Sequence, residues 1–147
     1  MPQDPPEQAD NTIAMLGRAY SLLGFQIVDG VVGAGYPQKP SHSAVFAQIR
    51  SGGNRLTDLA RGANMTPQAM GELVDELEGL GYVERRPDPT DRRAKLIVLT
   101  PRGRQCIKAG IATIQGIENR LDEILGARGH ATLRRLLSQL LSNNPGQ

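Results

Sequence analysis

The chain has 147 residues, a formal net charge of +2 and an isoelectric point near 9.0. Apolar residues make up 39%, enough for a globular core and too many for a collagen-like or wholly disordered chain. Aromatics are only 3%, with no Trp, which argues against reading bases by stacking, and a single cysteine, Cys106, leaves no disulfide framework or Cys-rich zinc site. The two histidines, His42 and His130, stand far apart without metal-ligand spacing, so neither metal nor cofactor is called for. No stretch reaches the ~18 unbroken apolar residues of a membrane span. The acidic, proline-rich start MPQDPPEQ is the reverse of a secretory signal. A cytoplasmic location with no membrane partner is expected.

In chain order, residues 1–10 read as a disordered lead. From Asn11 to about Val32, Ile13, Leu16, Tyr20, Leu23, Ile27 and Val31 recur every three or four residues, the period of a helix. Tyr36-Pro37 through Pro40 is a break, and Ser41–Ile49 reads as a short helix. Ser51-Gly52-Gly53-Asn54 is a turn, and Leu56–Gly62 a third helix. Thr66 is a good N-cap with Pro67 at the first helical position. Met70, Leu73, Val74, Leu77 and Leu80 follow as one apolar stripe that Gly81 stops. The period then changes to two: Tyr82–Arg86 and Lys95–Leu99 read as strands, with Pro87–Ala94 a loop between them. Thr100-Pro101 opens another helix, whose seam Ile107, Ile111, Ile114, Ile117, Leu121, Ile124 and Leu125 is of coiled-coil type. Gly126–Gly129 should break it. Leu133, Leu136, Leu137, Leu140 and Leu141 form a last amphipathic helix, before a tail at 143–147.

This order, helix-turn-helix followed by a hairpin, is that of a DNA-reading domain whose second helix enters the major groove. The segment from Tyr82 to Lys108 carries eight Lys/Arg and three acids, a local charge of +5 in a chain of +2. Such a strip is the footprint of phosphate binding. Four acids of the second helix, Glu72, Asp75, Glu76 and Glu78, oppose it, and confine groove entry to the first turn: Thr66, Pro67, Gln68 and Ala69. Gln68 has the bidentate geometry for adenine. Arg92 and Arg93 at the loop tip suit a narrow minor groove, with Asp91 bracing a neighbouring guanidinium. The apolar seams of the last helices exceed what a winged domain covers, which argues for a two-fold homodimer.

The motifs Leu56-Thr57-Asp58-Leu59-Ala60, Met65-Thr66-Pro67-Gln68-Ala69-Met70, Gly81-Tyr82-Val83-Glu84-Arg85, Asp88-Pro89-Thr90-Asp91-Arg92-Arg93-Ala94-Lys95 and Leu99-Thr100-Pro101-Arg102-Gly103 resemble the MarR family of bacterial winged-helix transcription factors. The resemblance spans about residues 11–142. It implies a mainly α fold with a small β-hairpin wing, the winged helix-turn-helix domain (38–101) being flanked by dimerisation helices at 11–37 and 102–142. It implies a homodimer on a pseudo-palindromic operator in double-stranded DNA, a transcriptional regulator whose sign is read first as a repressor, with activator the alternative. The DNA-binding residues would be Thr66, Pro67, Gln68, Ala69, Arg85, Asp91, Arg92, Arg93 and Lys95. Many members carry Arg where this chain has Glu72, which shifts phosphate anchoring to the wing and to Arg55, Arg61 or Arg85. The resemblance also implies a small aromatic or phenolic effector in a cleft beneath the dimerisation helices, here Tyr20, Phe25, Tyr36, His42 and Phe46. Cys106 lies away from the position of redox-sensing relatives and reads as a packing residue.

Two other readings are weighed against this one. A winged-helix protein-interaction module without specific DNA binding would use the acidic helix face on a basic partner. An enzyme is disfavoured, because no nucleophile–base pair, phosphate loop or ligand cluster is present in the sequence.

Overall fold

The computed structural model describes residues 11–143, so the lead at 1–10 and positions 144–147 of the tail lie outside the described residues. Helix α1 spans Thr12–Gly33, capped by the Asn11 side chain accepting from the Ala14 N–H at 2.9 Å. A 3₁₀ turn at Pro40–His42 runs into the one-turn helix α2, Ser43–Phe46, where the sequence predicts a single helix to Ile49. Helix α3 is Leu56–Gly62 and α4 is Pro67–Gly79. Strands β1 (Val83–Asp88) and β2 (Asp91–Leu99) form an antiparallel hairpin, and α5 covers Pro101–Ser142.

The α3–α4 turn is set by Asn64, whose φ of 53° lies in the left-handed region that Asn tolerates. The Met65 N–H bonds to the Ala60 carbonyl and the Asn64 N–H to that of Arg61, the paired bonds of a Schellman stop. Gly81, at φ 79°, ends α4 with the same pair of bonds to Leu77 and Glu78. The stripe read from the sequence is the core: Met70, Val74 and Leu77 of α4 are buried with Leu59, Tyr82, Val83 and Ile97.

The hairpin differs from the expected loop at 87–94. Five residue pairs from Val83–Leu99 to Pro87–Lys95 hold one register, and Asp88 then pairs with Asp91. The turn is therefore only Pro89-Thr90, and Arg92, Arg93 and Ala94 bulge from β2 without partners on β1. Asn54 adds a bridge to Ile97, so the predicted turn at 51–54 also edges the sheet.

The break predicted at Gly126–Gly129 is present and confined to its first residue. Only Gly126, at φ 73° and ψ 154°, leaves helical geometry, and the helix resumes at once. Residues eight apart in a straight helix lie ~12 Å apart along its axis. Yet His130 Nδ1 lies 2.8 Å from Asp122, and Arg134 lies 3.0 Å from Glu118. The chain thus folds back at one glycine into a helical hairpin. α1 packs against its first arm so closely that a Cβ on Gly30 would stand 2.4 Å from Thr113 Cγ2. Outside that contact both elements expose apolar side chains, among them Tyr20 (80%), Ile124 (70%) and Leu141 (75%).

Candidate nucleic-acid interface

The first turn of α4 is built for presentation. Thr66 caps it by accepting the Ala69 N–H at 3.1 Å, and Pro67 fills the position that needs no donor. Thr66, Pro67 and Gln68 are exposed, while Ala69 is half-buried above the core residue Met70.

Three of the four acids on α4 are consumed within the molecule. Asp75 and Glu78 both bind the Arg85 guanidinium, Asp75 at 2.7 Å. Glu76 meets Lys39 Nζ at 2.7 Å and His42 Nε2 at 2.8 Å, and those two donors hold its carboxyl below the ordinary range. Only Glu72 makes no ion pair among the described residues. The expected repulsion between this face and phosphates is therefore about halved, and Arg85 is committed to that task rather than projecting from the wing.

The wing is pinned at its base. The Asp88 carboxylate, 5% exposed, accepts from the Thr90 N–H (2.9 Å), the Thr90 hydroxyl (2.8 Å) and Arg55 Nε (2.8 Å). These donors lower its pKa from 3.8 to about 2. Arg55 is the N-cap residue of α3, so one carboxylate ties the hairpin turn to the helix-turn-helix. Because the folded pKa is depressed, the stabilisation is present above about pH 4 and is lost as pH falls through 2. Acid titration of folding should therefore show wild type losing stability over that window, with Asp88→Asn flatter there and the gap closing at its acid end. Parallel curves would refute the assignment.

At the tip, Asp91 accepts the Arg93 backbone N–H at 3.0 Å. It does not brace a guanidinium, as the sequence suggested; it shapes the bulge. Among the described residues neither Arg92 nor Arg93 forms an ion pair, and both are exposed, as is Lys95. Arg61 pairs with Asp58 at 3.2 Å on the surface of α3.

The five proposed effector residues do not converge. Tyr20 and Phe25 flank a shallow cleft with Pro40 and Ser43. His42 is buried as a crosslink, its Nδ1 accepting the Lys39 N–H at 3.1 Å and its Nε2 facing Glu76. Tyr36 packs against Arg102, whose guanidinium lies 5.7 Å from its ring and 5.3 Å from that of Tyr82. Phe46 alone lines the cleft of about 290 Å³ between α1, α2 and α5. Cys106 forms part of the same wall; it is buried, with its thiol pushed up by desolvation, in keeping with a packing role. Sequence reasoning missed Asp88 and Arg55 as a pair, because the two lie 33 positions apart and only the fold joins them.

The MarR family model matches residues 49–95, the stretch from the end of the α2 region through the wing. An HTH-type transcriptional repressor of Mycobacterium tuberculosis, Rv2887, is 33% identical over 94 residues, which are 64% of this chain and 68% of the relative. A probable transcriptional regulator from Pseudomonas aeruginosa is similar in structure, with a TM-score of 0.72 at 26% identity over 89% of this chain and 97% of that one. The transcriptional repressor CouR, solved bound to a 23-mer DNA duplex, shares the fold: its TM-score is 0.73 at 24% identity, over 92% of this chain and 96% of that one.

Proposed function

The chain belongs to the MarR family, and from that premise we propose that it is a sequence-specific, double-stranded DNA-binding transcriptional regulator that represses as a homodimer on a pseudo-palindromic operator. The observation that carries this reading is the sorting of charge: three of the four acids of α4 are paired with Lys39, His42 and Arg85, while Arg92 and Arg93 make no ion pair among the described residues and stand on a pinned wing. That sorting weakens the feature that favoured a protein-interaction module, since two cations of the chain already offset half of the charge on the acidic face. Thr66, Pro67, Gln68 and Ala69 are proposed to meet the major groove, and Arg92 and Arg93 the minor groove, with Lys95 on phosphate. Asp91 and Arg85 act as positioning residues.

The dimer is supported by the exposed apolar faces of α1 and the α5 hairpin, whose area a monomer would leave wet. In this reading residues 11–37 and 102–142 are the dimerisation elements and 38–101 the winged domain. A small molecule in the cleft between them modulates affinity.

Selection of bound duplexes from a random library at physiological salt tests the proposal. An inverted repeat with half-sites about one helical turn apart, ~34 Å, is the expected result; no enriched sequence overturns it. With that duplex in hand, Gln68→Ala should lose discrimination at one base pair per half-site, about 1–3 kcal/mol. Equal weakening on all sequences would make Gln68 a backbone contact instead.

A further inference from the structure

The cleft between α1, α2 and α5 is walled by Ile27, Val31, Phe46, Ile107 and Ile111, and offers polar groups only from Gln38, Ser43 and the Cys106 thiol. Among the described residues no Lys, Arg or His lines it. Lys39 and His42, next to Gln38 and Ser43 in sequence, belong to a neighbouring cleft where both bind Glu76, and Lys108, next to Ile107, is exposed and does not line the cleft. Burial keeps the Cys106 thiol neutral, and Gln38 Oε1 lies 3.9 Å from its sulfur.

We propose that this cleft takes a compact, uncharged, largely apolar molecule and rejects carboxylates. The proposal rests on the regulatory reading above and names the chemistry of its effector. A carboxylate entering here would lose water without gaining a counter-charge, a penalty far larger than one hydrogen bond returns. A neutral ring with one hydrogen-bonding group would instead cover Val31 and Cys106 at the base and reach Gln38 or Ser43. The volume of about 290 Å³ sits at the small end of ligand sites.

The same wall reaches the DNA-reading helix. The Phe46 ring centroid lies 6.0 Å from that of Tyr82, the residue after the Gly81 stop of α4, and the Tyr82 hydroxyl donates to the Pro37 carbonyl at 2.7 Å, one residue from Gln38. A molecule that moves Phe46 or Gln38 therefore moves the support of α4. The rim residues Ile111 and Ile114 are exposed and continue into the apolar seam of α5.

Methyl benzoate and benzoate differ chiefly in charge and serve as probes on the full chain at pH 7. Methyl benzoate should raise the melting temperature in a saturable manner and bind more than about tenfold tighter than benzoate. Ala47→Phe, which fills the cleft, should abolish the shift, and Gln38→Arg, which supplies a cation at the rim, should bring benzoate to at least equal affinity with the ester. Where Ala47→Phe does not fold, Gly110→Ala replaces it as a narrowing variant, its Cβ meeting Val31 Cγ2 at 3.7 Å, and should weaken the ester's shift rather than abolish it. Equal binding of the two probes by wild type overturns the proposal, as does no shift from either. So does an ester effect indifferent to these variants, or an Ala47→Phe variant altered in oligomeric state alone, which would mean the partner's side chains fill the cleft. Binding of the unliganded protein to its selected duplex is measured in parallel. Loss of duplex recognition with ester binding intact fails the regulator reading and leaves the cleft chemistry standing.

Discussion

Arg93→Ala is expected to cut affinity for the selected duplex by on the order of a hundredfold or more while leaving the melting temperature unchanged. A well-placed Arg contact contributes about 1–3 kcal/mol, and a two-fold dimer loses it at both wings. The fold should not register the change, because the guanidinium is exposed and makes no ion pair within the described residues. What orients it is the backbone: Asp91 holds the Arg93 N–H, and Asp88 holds the turn to Arg55. Asp88→Asn should therefore reproduce part of the affinity loss without removing any group from the DNA surface. Fluorescence anisotropy on the selected duplex and on a scrambled one separates the two: an unaltered Kd for Arg93→Ala would refute the wing assignment.

Gly103→Ala carries the largest expected effect on stability. Gly103 sits in the first turn of α5, where a Cβ would stand 2.0 Å from the Tyr82 carbonyl oxygen and 2.9 Å from its carbon. The clash is with backbone, and that backbone is immobile. The Tyr82 carbonyl accepts the Thr100 N–H at 3.0 Å, the Thr100 hydroxyl donates to the Gly81 carbonyl, and the Tyr82 ring is fully buried. Relief requires α5 to lift from the end of α4, at a cost of about 3 kcal/mol, the upper range for forcing a methyl into a packed site. Denaturant unfolding should show it as a lower midpoint. Gly116→Ala is the control: it lies on the same helix with open space at its Cβ and should be neutral or slightly stabilising. Equal effects at the two positions would refute the close approach.

Period and capping residues carry most of the fold in legible form. The stripe Met70, Val74 and Leu77, the Thr66-Pro67 start and the Gly81 stop are local signals, and each appears where its chemistry places it. The reversal at Gly126 was legible as a break but not in its sharpness, since a single left-handed glycine looks in sequence like a flexible Gly-rich stretch. Residues 87–94 of the wing read in sequence as a loop because two prolines and two aspartates signal turns. In the fold Pro87 pairs opposite Lys95, and Asp88 is satisfied by Thr90 and Arg55. Position-specific signals gave the presentation of Gln68 and the arginines. Pairing did not follow from sequence: that Arg85 quenches Asp75 and Glu78 depends on β1 running beside α4. The five effector candidates are spread over different clefts for the same reason, since aromatic identity says nothing about which side of a helix faces a cleft.

The bulge on β2 also bears on how the wing can change over evolutionary time. Below it, five consecutive pairs lock the ladder, and losing one residue there would turn every side chain of the strand to the opposite face. Above it, Arg92, Arg93 and Ala94 owe nothing to the ladder. Insertions and deletions at the tip can alter how far the hairpin reaches while the scaffold beneath keeps its alignment. The ladder thus sets no limit on length at those three positions, and what limits it there is the proposed contact with DNA, while Ile97 stays in the core.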